Sequence, residues 1–266
     1  AAEKNNMGIV VITILGSAKM AFAASLHKKT DGAVDLVIVQ KWKPDFYSTE
    51  MKRLFKKGPI HFLKEAWAAL MLRLLPRTRR TLGYFRATSG AGTPPSKHAP
   101  KTIIVDDINS DEVYDLLRKL SPELLVVWGS KVLDTRIIGA AKRAVNLHLG
   151  RCPYYRGTLA NQLAVLEKDR DHIGATVHYV APHVDAGPVI AVIKPDLGMT
   201  PQKLFLDLND RALAAYADII TRLYKGEQLE SKPQDEAKGK NLRLRDWTPY
   251  VRYQVAKELR AWERAV

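Results

Sequence analysis

Three side chains in a largely apolar part of this chain are of the types that together do acyl-transfer chemistry: the amide of Asn146, the imidazole of His148 and the carboxylate of Asp185. The stretch VNLHLGRCPYYRG, from Val145 to Gly157, opens like a buried strand and ends in a turn rich in Gly, Pro and Arg. Alternation along a strand puts Asn146 and His148 on one face and Val145 and Leu147 on the other. A second stretch, GATVHYVAPHVDAGPVI, from Gly174 to Ile190, reads as strand, loop and strand, with Asp185 and Gly187 in the loop. If the two stretches meet at one end of a sheet, an amide N–H can hold a developing oxyanion, a histidine can manage protons, and a carboxylate can orient and charge the histidine.

The elements that must position these groups are legible in the apolar runs. GIVVITIL (8–15), VDLVIV (34–39), TIIV (102–105) and LLVVWG (124–129) are short and β-branched, as in parallel strands buried on both faces. Helical spacing lies between them. Asn109 and Glu112 are placed to form a capping box ahead of Val113, Leu116, Leu117 and Leu120. Strand and helix alternation predicts a doubly wound, mostly parallel, Rossmann-like α/β sheet, with ligands at the carboxyl ends of its strands. Gly129 and the Asn146/His148 pair fall at such ends. Gly16 and Ser17 close the first strand without a G-x-G-x-x-G pattern, so no nicotinamide cofactor is expected.

The motifs have a specific likeness. Asn-x-His (Asn146, His148), a Pro-x-x-Arg-Gly turn (Pro153, Arg156, Gly157), Gly-x-Thr-x-His (Gly174, Thr176, His178) and Asp-x-Gly (Asp185, Gly187) occur in that order. The set resembles the signature of formyltransferases that use 10-formyltetrahydrofolate, a family including glycinamide ribonucleotide, methionyl-tRNA and nucleotide-sugar N-formyltransferases. Weaker resemblance runs from Gly8 to about Gly226. It implies a formyltransferase fold, catalytic roles for Asn146, His148 and Asp185, cosubstrate contacts at Trp128, Gly129, Val184 and Asp185, acceptor contacts at Gly150, Arg151 and Arg156, and no metal. His178 is then a supporting residue beside the site, and His183 a surface histidine. Cys152 occupies an apolar position in the turn and is not expected to act as a nucleophile. The family usually has a Ser-Leu-Leu-Pro run after its histidine, where this chain has LGRCP; Gly150 and Arg151 therefore change the loop bordering the amine acceptor.

The 266 residues carry a net charge of +14, which favours anionic partners, and 46% of them are hydrophobic, the proportion of a globular protein. Cys152 is the single cysteine, so no intrachain disulfide can form. Lys4, the GIVVITILG run and AFAAS imitate a secretory signal, but Lys19 and the helical spacing of Met20, Ala23, Ala24 and Leu26 favour strand, turn and helix. No apolar run reaches the ~18 to 20 residues of a membrane span, and a cytoplasmic protein is expected.

The domain reading is a catalytic unit over 1–228, interrupted by a basic helical insertion at about 44–100, followed by a linker and helical tail over 229–266. Within Lys52 to Arg86, Ile60, Leu63, Trp67, Leu70 and Leu74 form one helical stripe among ten Lys and Arg and the single acid Glu65. The stripe reads as a core face beneath a basic one, with an anionic acceptor, a membrane surface or RNA as the partners open to the basic side. TSGAGTPPSKHAP reads as a flexible return to the sheet. Thr200 caps a long helix, Pro201 opens it, Leu204, Leu208, Ala212, Tyr216, Ile219 and Leu223 form its apolar stripe, and Gly226 stops it. The forty-odd residues after Gly226 read as helical rather than as the β-barrel of initiator-tRNA formyltransferases, so RNA is not the expected partner. The acceptor expected is a small anionic amine, foremost a nucleotide-linked aminosugar. Glycinamide ribonucleotide or Met-tRNA, a 10-formyltetrahydrofolate hydrolase, and a non-catalytic membrane-associated protein are the alternatives; a homodimer is also compatible.

Overall fold

The computed structural model describes residues 8–41, 58–86 and 99–266. The elements in chain order are β1 (Ile9–Ile14), α1 (Ser17–Lys29), β2 (Val34–Gln40), α2 (Pro59–Leu74), α3 (Pro76–Thr81), β3 (Thr102–Val105), α4 (Asp111–Leu120), β4 (Leu124–Trp128), α5 (Thr135–Ile138), β5 (Arg143–His148), β6 (Tyr155–Gly157), α6 (Ala160–Leu166), β7 (Ala175–Tyr179), β8 (Val189–Ile193), α7 (Pro201–Tyr224), β9 (Lys240–Leu242) and α8 (Pro249–Glu263). The main sheet has the order β3-β2-β1-β4-β5-β7-β8. Its first five strands are parallel, β7 runs against them, and β8, antiparallel to β7, returns to their direction.

The β-branched strands are the reason for the layering. β1, β2 and β4 present apolar side chains to both faces, and each face must be covered. Phe22 and Leu26 of α1, with Leu204, Leu208, Tyr216 and Leu223 of α7, cover one. Val113 and Leu117 of α4, with Ile137 of α5, cover the other. Every position of the stripe expected on α7 is buried. β3 differs from the expected doubly buried strand: it forms the sheet edge, and Ile104 is exposed. The order reverses between β2-β1 and β4-β5, and such a switch point opens a crevice at the carboxyl ends of β1 and β4.

Three local expectations are corrected. The cap of α4 is Ser110, whose hydroxyl accepts from Val113 N–H, while Asn109 bridges Val132 O and Asp134 N–H. On α2 the predicted core stripe faces solvent, and Glu65, Ala68 and Leu72 face inward. The reason is the helix it packs on: Glu65 Oε2 accepts from Tyr250 N–H at 2.8 Å, satisfying one of the unpaired donors at the start of α8. The expected linker after α7 is held throughout. Lys232 bridges Val189 with reciprocal backbone bonds, β9 pairs with β6, and α8 buries Val255, Leu259 and Trp262.

The chain around Lys4, the basic run from Lys52 to Lys57 and most of the Gly/Pro-rich return to β3 lie outside the described residues. Among the described residues no helix is long and apolar enough to cross a membrane.

Candidate active site

A cavity of about 940 Å³ opens at the switch point, in the size range of small-molecule sites. Ile14 and Gly16 at the end of β1, Trp128 and Gly129 at the end of β4, and Leu147 of β5 contribute to its wall. The positive φ of Gly129, 71°, turns the chain back there, and a Cβ at that position would collide with the Lys19 side chain.

β5 delivers Asn146 and His148 to one face as alternation requires, and its antiparallel register with β7 sets Asn146 beside His178 and His148 beside Thr176. The loop between β7 and β8 brings Asp185 to meet them. Asp185 Oδ2 lies 3.2 Å from His148 Nδ1 and accepts from Gly157 N–H at 2.9 Å. Its Oδ1 accepts from Asn146 Nδ2 at 3.1 Å. His178 Nδ1 donates to Tyr179 O, and its Nε2 lies 3.1 Å from Asn146 Nδ2 and 3.4 Å from Asp185 Oδ1. Burial alone would raise the Asp185 carboxyl; His148, His178 and the Gly157 N–H outweigh it and hold the group well below the usual carboxylate range. His148 Nε2 in turn faces Tyr155 O at 2.9 Å. With acceptors at both ring nitrogens, the two contacts are satisfied together when both nitrogens carry a proton.

The backbone carrying Asp185 is constrained. Asp185 has a φ of 48°, uncommon for a residue with a side chain, and a Cβ at Gly187 would run into the Tyr179 carbonyl. From the C-terminal segment, Gln234 Nε2 donates to Asp185 O at 3.0 Å and Gly187 O at 2.6 Å. On the other side, Thr176 Oγ1 donates to Gly150 O and accepts from Cys152 N–H, fixing the turn that follows β5.

The residues singled out from the sequence therefore divide. Asn146, His148 and Asp185 converge, and Trp128, Gly129 and Val184 share the cavity with them. Gly150, Arg151 and Arg156, expected to contact the acceptor, are not among the residues that line this cavity. Gly150 packs between His148 and Ala160, where a Cβ would strike both. Arg151 reaches away to Asp171 O and stacks over Tyr154, and Arg156 lies against Gly239. Cys152 is buried, and burial together with the Asp185 charge pushes its thiol up to about 12, the opposite of an activated nucleophile.

His178, read as a supporting residue beside the site, touches both Asn146 and Asp185. Other contributors had no role in the sequence reading. Lys19, Arg86 and Leu244 also line the cavity. Lys19 lies 5.6 Å from the Trp128 ring centroid, has no ion-pair partner among the described residues, and is lowered by burial to about 8. A lone lysine after a strand has no pattern to betray it, and the Gly16–Ser17 turn ahead of it reads as no more than the close of that strand.

Comparison with known proteins places these observations. A methionyl-tRNA formyltransferase from Sulfurihydrogenibium sp. is 29% identical over 136 residues, 49% of this chain and 42% of that protein. The chain spans about half the length of the curated relatives it matches. The sugar N-formyltransferase of Shewanella sp. shares the fold with a TM-score of 0.56 at 14% identity, over 94% of this chain and 88% of that one. Glycinamide ribonucleotide transformylase 1 of Symbiobacterium toebii does so with a TM-score of 0.52 at 20% identity, over 88% and 96%. The family model described as formyl transferase matches residues 7–215. That match runs through every strand of the main sheet, from β1 to β8, and on that ground the chain belongs to the formyl transferase family.

Proposed function

We propose that this protein transfers a formyl group from 10-formyltetrahydrofolate to a primary amine, and that the amine belongs to a small anionic acceptor, foremost a nucleotide-linked aminosugar. The observation that carries the reading is the convergence of Asn146, His148 and Asp185 on the wall of a cavity at the sheet's switch point. The residues present suit a folate: Trp128 and Val184 offer apolar surface on the cavity wall. When bound, 10-formyltetrahydrofolate supplies the formyl carbon that the amine attacks.

Each protein group then has a physical role. Asp185, held ionised by its surroundings, lies against His148 Nδ1 and orients the ring. His148 and Asn146 donate to the formyl oxygen as it gains negative charge. In doing so Asn146 Nδ2 leaves Asp185, and His148 Nε2 leaves the Tyr155 carbonyl. Each exchanges one acceptor for another, so little hydrogen bonding is lost on the way. Asp185 is the group best placed to take the amine proton in passing, directly or through water, and that proton would end on the tetrahydrofolate nitrogen whose bond to the formyl carbon breaks. For the acceptor, Lys19, Arg86 and Lys131 at the cavity favour an anionic group such as a pyrophosphate. The methionyl-tRNA formyltransferases among the relatives and the sugar N-formyltransferases among the fold neighbours leave the acceptor to be chosen on this charge.

The test is release of tetrahydrofolate, followed by absorbance, with aminosugar nucleotides, glycinamide ribonucleotide, Met-tRNA and no acceptor. Turnover should depend on an aminosugar nucleotide and fall by ~10²–10³ in His148→Gln. Turnover without any amine would make the protein a hydrolase, and full activity in His148→Gln would remove the mechanism.

A further inference from the structure

α2 is a helix with two apolar faces, and among the described residues one of them is left largely uncovered. Its inward face, Glu65, Ala68 and Leu72, packs on α8. At about 100° per residue, Ile60, Leu63, Trp67, Leu70 and Leu74 gather within an arc of roughly 80° centred some 150° away from that face. All five are exposed, by 47% to 83%. Scattered exposed leucines are ordinary, but five large side chains in one stripe mark a contact surface.

The charges around the stripe select its partner. Lys64 and Arg73 lie on its two sides, each within roughly 60° of the nearest apolar residue on the helical wheel. Arg77, Arg79 and Arg80, on the short helix α3 that follows directly, are exposed as well. Glu65, the one acid in either helix, is buried against α8. A second copy meeting this face about a two-fold axis would set Lys64 and Arg73 against their own kind, with no exposed acid of these helices to pair with them. A nucleic acid would match the cations and leave the apolar stripe in water. An anionic bilayer satisfies both, because acyl chains take the stripe while headgroup phosphates take the basic margins.

We propose that α2 docks the protein on anionic membrane surfaces, lying in the plane of the interface. Its 16 residues extend ~24 Å, short of the ~30 Å hydrocarbon core, so the helix lies on the bilayer rather than across it. Trp67 sits in the middle of the stripe, edge-on to Tyr253 at 5.0 Å, and Lys64 rests 3.6 Å from the Tyr250 ring centroid. These rings supply the amphipathic side chains that settle at a membrane boundary.

Flotation of the full chain with vesicles of phosphatidylcholine, with and without phosphatidylglycerol, tests this directly. The protein should float with the anionic vesicles alone and be released by salt. Leu63→Ser with Leu70→Ser should lower partitioning about tenfold or more, and Arg73→Glu with Arg77→Glu should remove the preference for phosphatidylglycerol. These side chains are exposed, so both variants should keep the far-UV circular dichroism of the parent. Absence of flotation, or equal flotation with both kinds of vesicle, would overturn the proposal. So would a dimer in light scattering that the Leu63→Ser/Leu70→Ser pair dissolves, or RNA binding that this pair leaves intact.

Discussion

At the scale of single residues, Lys19 is the side chain whose charge can be moved within an ordinary assay. Lowered to about 8 by burial, it is charged at pH 7 and loses its proton as pH rises to 9. If it holds the anionic part of the acceptor, KM for that acceptor rises over this interval while kcat holds. A hydrogen bond to a charged group contributes ~1.5–3 kcal/mol, so Lys19→Met should raise KM about 10- to 100-fold at pH 7 and abolish its dependence on pH. A KM profile identical in parent and variant would free Lys19 from this role. Asn146 and His148 were readable in the sequence because alternation ties residue type to direction. Asp185 was readable only as part of a motif, since its position depends on a left-handed φ and on Gly187 filling a gap no side chain could enter.

At the scale of elements, the seam between β4 and β5 decides where Asn146 points. α7 reaches it with Tyr216, fully buried, whose hydroxyl accepts from Val127 N–H at 3.1 Å and donates to Val145 O at 2.8 Å, with Val127 O at 3.0 Å. One phenol thus joins the two strands immediately before Asn146. Tyr216→Phe removes the buried hydroxyl and its contacts with both strands, so it should cost ~1–3 kcal/mol. At ~2–4 °C per kcal/mol for a chain of this size, a calorimetric scan will show it. The catalytic loss should appear in kcat more than in KM, and an unchanged Tm would refute the account. The burial of Tyr216 was legible from its place in the α7 stripe, and the parallel sheet was legible from β-branched runs. α2 was not, because both of its faces are apolar. What turns Glu65 inward is the start of α8, 185 positions further along, and local spacing holds no trace of a partner so distant.

At the scale of the whole molecule, the C-terminal segment belongs to the site. Gln234 ties the backbone at Asp185 and Gly187, β9 pairs with β6 just beyond the Tyr155 carbonyl that holds His148, and α8 pins the inserted helices. The sequence showed a polar stretch here and nothing to say that it was held, since a glutamine in such a stretch looks like any solvated residue. Gln234→Ala should loosen the Asp185 loop without unfolding the sheet: amide exchange at Ala186 and Gly187 should rise at least tenfold, with turnover falling alongside, while exchange in β4 and β5 stays as it was. Faster exchange throughout would mean that the segment supports the fold at large and not the loop.

Gln234 follows Asp185 by 49 positions, and that separation has a meaning in time. Ribosomes build a chain from its amino end, so Asn146, His148 and Asp185 all exist before the residue that ties their loop. Through that interval the nascent protein possesses its reactive groups without their last fastening. The order of synthesis makes the hydrogen bonds of Gln234 a late step, and a chain cut short before it would carry every side chain of the reaction and still hold Asp185 loosely.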